Sequence, residues 1–173
     1  MRVRLTLLAP LWLLPLAAAI AAPPEAAMQV LAQYSAAFNR HDCEAMLSLT
    51  SPAIIKRLER MPNGRASYCD LAAAFARDGV RETLGPVTAT RVDGSHRLLV
   101  VEHVREAGAQ SALSGLKTTG SYLLHSSDGG DNWHVLDNGC LDVRWVKEVY
   151  PAYDGDPPLQ PSRVMQSRGT RGR

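Results

Sequence analysis

Two side chains of this sequence have the type and spacing to move a proton together, His103 and Tyr122. Each sits in a run that reads as a strand. Alternation in the first run puts Leu99, Val101, His103 and Arg105 on one face, and Leu98, Val100, Glu102 and Val104 on the other. In the second run Leu116, Thr118, Gly120, Tyr122 and Leu124 share a face. If both faces belong to the same side of one sheet, an imidazole that takes a proton near neutrality meets a phenol that donates a hydrogen bond. The plainer alternative makes Tyr122 ordinary core and leaves His103 solvent-facing or partnered near a strand end. His125 and His134 flank a hairpin and read as surface, and Trp145 reads as a core anchor. No nucleophile elbow, phosphate-binding loop or zinc-ligand spacing is present. Asp128 and Asp131 are calcium-ligand types without the ligand spacing or closing Glu of a calcium loop. The sequence therefore predicts no metal and no cofactor.

Those candidates must be placed by the elements around them. The chain has 173 residues, enough for one domain with appendages. It opens with Arg2 and Arg4, then an apolar run broken by Pro10 and Pro15, then Ala19-Ile20-Ala21. That is the charge, core and small-residue order of a secretory leader over residues 1–21, too short and proline-broken for a membrane span. The expected compartment is periplasmic or secreted. Of nineteen Lys+Arg, Arg2 and Arg4 lie in the leader and Arg163, Arg168, Arg171 and Arg173 in the tail, which leaves thirteen against seventeen Asp+Glu. A domain of net negative charge argues against nucleic-acid binding.

From residue 25 the apolar positions Leu31, Tyr34 and Phe38 recur at helical spacing, behind Pro23-Pro24. Asp42 caps a second helix, and Ser51-Pro52 starts a third with Ile54, Ile55, Leu58 and Met61 on one face. Pro62-Asn63-Gly64 stops it, and Asp70 is expected to cap a fourth, with Leu71, Ala74 and Phe75 inward. Strand patterns follow at 87–92, 97–105, 116–125 and 133–138. Leu141, Trp145 and Val149 suit a closing helix, although 141–145 also alternates as an edge strand would. Residues 156–173 are Pro-, Ser-, Gly- and Arg-rich and read as an unstructured basic tail. Helices first and antiparallel strands after predict an α+β fold, with N-terminal helices packed on a curved sheet over 22–155.

The run Val30-Leu31-Ala32-Gln33-Tyr34-Ser35-Ala36-Ala37-Phe38-Asn39-Arg40-His41-Asp42-Cys43-Glu44-Ala45-Met46-Leu47-Ser48-Leu49, with this order of elements, resembles the nuclear transport factor 2-like superfamily. The helical reading of 51–61 departs from that pattern, where members often place a strand or hairpin. The resemblance implies a cavity between helices and sheet, here around Tyr34, Phe38, His103 and Tyr122. Superfamily enzymes hold Asp, His or Tyr there for proton transfer, because enolisation needs a base at carbon and a donor at oxygen. It also implies a possible homodimer through the sheet. Residues 126–133, with Ser126, Asp128, Gly130 and Trp133, look like an Asp-box turn, a folding element rather than a catalytic one.

Three cysteines in an exported chain predict one disulfide and a spare thiol. Antiparallel helices would bring Cys43 to Cys69, and Cys69–Cys140 is the other pairing. The functional reading is a non-enzymatic domain that binds a small apolar molecule or a protein partner. The alternatives are an isomerase, dehydratase or hydrolase using His103 and Tyr122, and an interaction factor pairing through the outer sheet face.

Overall fold

The structure, a computed structural model, describes residues 23–137, 143–159 and 162–166. The expected leader, Cys140 and Leu141 lie outside the described residues. The order is α1 (Glu25–Arg40), α2 (Cys43–Leu49), α3 (Pro52–Arg60), α4 (Gly64–Arg77), β1 (Arg81–Asp93), β2 (His96–Glu106), β3 (Leu116–Ser126), β4 (His134–Asp137), α5 (Val143–Val149) and β5 (Arg163–Gln166). The fold is α+β, with four helices preceding an antiparallel sheet. No helix of the described residues is long and apolar enough to cross a membrane.

Local chemistry sets the helix boundaries. Pro24 precedes the first turn of α1, where its missing N–H costs nothing, and His41 closes the helix in the left-handed conformation. The Asp42 carboxylate accepts from the Ala45 amide at 3.1 Å, capping α2. Pro52 occupies the first turn of α3. The fourth helix begins seven residues earlier than a cap at Asp70 suggests. Asn63 takes the left-handed conformation and turns the chain straight from α3 into α4. Asp70 therefore lies mid-helix, and Leu71, expected inward, is exposed. Cys43 and Cys69 form a disulfide that ties α2 to α4, with Cα atoms 5.3 Å apart.

The sheet runs β1-β2-β3-β4, and β5 pairs with β3. The β1 strand is longer than the 87–92 pattern, because Gly85-Pro86 falls at a register shift between Leu84 and Val87 on an edge strand. There a proline forfeits no central ladder bond. β4 and β5 share one edge of β3, the first along residues 122–125 and the second along 116–119. Residues 163–166 thus correct the expectation of an unstructured tail. Polar composition suggested disorder, but four backbone pairs are enough to seat an edge strand on which Arg163, Val164 and Met165 stay exposed.

Both faces of the sheet are covered. On one, Leu31, Tyr34 and Phe38 of α1 pack with Leu99, Val101, Tyr122, Leu124 and Val135. On the other, Leu98, Val100, Leu123 and Leu136 lie under Leu47, Ile54 and Leu58 from α2 and α3, and Val146, Tyr150 and Tyr153 near the C-terminus. Each such large side chain contributes about 1.5–3 kcal/mol when fully buried. The outer face available for pairing with a partner is thus filled at these positions by the chain itself.

The β3–β4 turn is closed by side chains. Asp128 accepts from the Ser126 hydroxyl at 2.6 Å, the Asn132 amide at 3.0 Å and the Asn132 side chain at 2.6 Å. These bonds hold its carboxyl well below the usual range. Gly129 and Gly130 supply positive φ, and buried Trp133 donates its indole N–H to the Gly130 carbonyl at 2.9 Å. The Gly129 amide also donates to the Ser95 carbonyl at 2.8 Å, which joins this turn to the β1–β2 turn.

Candidate functional site

The strand register brings the helix-facing polar residues into one row. Arg105 on β2 lies opposite Glu82 on β1, and Tyr122 on β3 lies opposite Asp137 on β4. Glu82 is fixed by α1: the Asn39 side chain donates to its carbonyl at 3.0 Å and accepts from its amide at 2.7 Å. Arg105 is the hub. Its Nε donates to Glu82 Oε2 at 3.0 Å, and its Nη2 donates to Tyr122 Oη at 2.9 Å and to Asp137 Oδ2 at 2.6 Å. Tyr122 donates onward to Glu82. The guanidinium also lies 4.4 Å from the Phe38 ring centre, a cation–π contact inside the core.

Burial and charge oppose each other here. Burial would lower the Arg105 ionisation, but Asp137 above all, then Tyr122 and Glu82, hold it well above its ordinary value. Burial pushes Glu82 up, and Arg105 and Tyr122 only partly offset this. Burial also raises Tyr122 and Tyr34 well above the usual phenol range. His103 is held down at about 4, first by burial and then by Arg105.

Sequence reasoning placed Tyr34, Phe38, His103 and Tyr122 together, and the structure does bring them together. The His103 ring lies 4.5 Å from that of Tyr122, and Tyr34 meets Tyr122 edge-on at 5.3 Å. These rings are packed core: His103 is 2% exposed and Tyr122 0%. His103 Nδ1 stays 3.7 Å from Glu82 Oε2, outside hydrogen-bond reach. Both imidazole nitrogens and Glu82 Oε1 lack a hydrogen-bond partner. A gap of about 10 Å³ beside Phe38 has no room for a ligand.

The roomier space lies next door. A cavity of about 240 Å³ opens between α3, α4 and α5, walled by Ile54, Leu58, Met61, Leu71 and Trp145. Thr50, Ser67, Tyr68 and Asp137 supply its polar atoms. Thr50 reaches this position because it bridges to Val135, at the junction of α2 and α3. Tyr68 exchanges a 2.6 Å hydrogen bond with Tyr34, so two side chains, Tyr68 and Asp137, connect the cavity to the buried polar row. Trp145, expected as a core anchor, packs half-buried against the outer core and also lines the wall, with Arg57 stacked 4.4 Å from its ring and bound to Glu148.

Asp137, Arg105 and Glu82 were missed as site residues, although the signal was present. Arg105 shares the face of Leu99 and Val101, and an inward arginine needs inward carboxylates. Asp137 has the parity of Val135 on β4, and Glu82 that of Leu84 on β1. His125 is also corrected: it is buried, not surface, because the C-terminal segment covers the outer face at that point. No group of described residues has the arrangement of a metal site. No protein-family model matches the chain, and no curated protein matches it.

Proposed function

We propose that this chain is a non-enzymatic binding domain of the periplasm or extracellular space that takes up a small, largely apolar molecule between α3, α4 and α5. The observation carrying this reading is the 240 Å³ cavity with apolar walls and a polar floor at Tyr68 and Asp137. Ligand sites combine apolar area with a few fixed polar groups, and this volume lies just below the usual range of about 300–1,000 Å³. The ligand is therefore small, and its polar end is a hydroxyl or amine that meets a carboxylate better than an acid would. The internal disulfide suits an oxidising compartment. The cavity that the resemblance to nuclear transport factor 2-like domains implies, around Tyr34, Phe38, His103 and Tyr122, is filled here, so the proposal rests on the neighbouring pocket alone.

Fluorescence titration with N-phenyl-1-naphthylamine at pH 7.5 tests this. Saturable binding to the wild type, lost in Leu58→Trp, is the expected result. A wild type that leaves the probe in water, or a filled variant that binds equally well, would overturn it.

A further inference from the structure

On the outer face of the sheet a second ionisable cluster lies under the C-terminal segment. His125 on β3 stands opposite His134 on β4. His96, at the start of β2, stacks on His125 with ring centres 5.2 Å apart, and His96 Nδ1 lies 2.9 Å from His125 Nε2. Tyr150 covers both rings, 4.7 Å from His96 and 6.1 Å from His125. We infer that this cluster is an acid-operated latch on the cavity, so that protonating it frees the segment 143–153 and releases the bound molecule. The inference gives the regulation of the site proposed above and rests on that reading.

The geometry gives the latch its sign. The 2.9 Å contact needs one nitrogen carrying hydrogen and one bare. The first proton can be shared along it. A second proton removes the acceptor and sets two cations face to face. Burial, then His96 and His134, already hold His125 down at about 4, while Asp128 from the β3–β4 turn pulls the other way. His134 is lowered too, by burial, against Asp128. The remaining charges sit behind Tyr150: its hydroxyl donates to Asp93, and Arg91 lies 3.9 Å from Asp93 and 2.7 Å from Asp154.

The latch reaches the cavity through one helix. The Tyr150 amide donates to the Val146 carbonyl at 2.8 Å, so Tyr150 extends the last turn of α5. The same helix carries Trp145 in the cavity wall and Glu148 in its bond to Arg57 of α3. A shift of the Tyr150 backbone away from the histidines would carry that wall with it.

Hydrogen exchange of the full chain without ligand tests the latch, with rates corrected for intrinsic pH effects and α1 as reference. Raising the free ionisation of His125 from about 4 to 6.5 on opening predicts about 30-fold more opening of residues 144–153 at pH 5.0 than at pH 7.5. His125→Phe should reduce that rise to less than about threefold. His96→Gln, at a less buried position, serves if the first variant does not fold, and should also reduce it. No rise, an equal rise in α1, or an undiminished rise in the folded variant would overturn the latch. N-phenyl-1-naphthylamine separates the two readings. Wild type that binds it at pH 7.5 should lose it at pH 5.0, while His125→Phe retains it. Failure to bind at pH 7.5 defeats the cavity reading, and the exchange data still judge the latch.

Discussion

On the side of the sheet facing α1, a buried cation holds the polar row together: Arg105 bonds to Glu82, Asp137 and Tyr122, and only His103 beside them stays unbonded. On the opposite side the ionisable groups are alike: His96 and His125 stack beneath Tyr150, and His134 lies beside His125 on the next strand. The first arrangement offsets desolvation with opposite charge, and in the second burial disfavours the charged forms of His125 and His134. They therefore answer acid differently. In the first, Glu82 is raised and His103 lowered, so their contributions to pH-dependent stability have opposite signs. In the second, His125 and His134 are both lowered, so their contributions add. Acid sensitivity should concentrate on the outer face.

The largest expected effect breaks the first arrangement. Arg105→Met leaves two buried carboxylates without their cation and should cost about 3–5 kcal/mol in urea unfolding at pH 7. A loss below about 1 kcal/mol would mean that the α1 side tolerates bare carboxylates, and the contrast would fail. Removing the disulfide with Cys43→Ser and Cys69→Ser should cost about 3 kcal/mol, for a loop of 26 residues. That tie belongs to the helix layer, so the pH dependence of unfolding should keep its wild-type slope.

Gly120→Ala probes the packing around His103. A Cβ there would stand 2.7 Å from His103 Nε2, an overlap worth about 1–3 kcal/mol. Adding His103→Ala should relieve most of that cost, and a double-mutant cycle without coupling would show that the ring had moved aside. The smallest effects at neutral pH are the most discriminating. His125 is lowered from 6.5 to about 4, so its contribution is complete above pH 6.5 and declines as pH falls toward 4. Glu82 is raised above 4.5, so its contribution is complete below 4.5 and is lost as pH rises through its folded value. His125→Phe should therefore flatten the fall in stability between pH 6.5 and 4, and Glu82→Gln should steepen it. Unfolding curves across that range that moved both variants the same way would erase the distinction between the faces.

Much of the fold was legible because local signals agreed with one another. Asp42, Ser51-Pro52 and the break between the 87–92 and 97–105 strand patterns each mark boundaries within one or two residues. The start of α4 was not, because Asn63 acts through a backbone conformation that composition does not disclose. β5 was missed because an edge strand can form from backbone pairing alone, with Val164 and Met165 left in solvent. The site was half legible. Parity on β2 and β3 brought His103 and Tyr122 together, but parity does not say whether a meeting place is hollow. The cavity depends on how α3, α4 and α5 stand apart, and that is set by packing across the whole chain.

The sharing of one β3 edge by β4 and β5 has a structural consequence of its own. Were residues 163–166 cut away, both buried clusters and the cavity walls would remain. The amides and carbonyls of 116–119 would then face outward as an uncapped ledge, open to any extended chain that could finish the ladder. Residues 163–166 thus close that stretch of β3 and move the open edge of the sheet onto their own outer side.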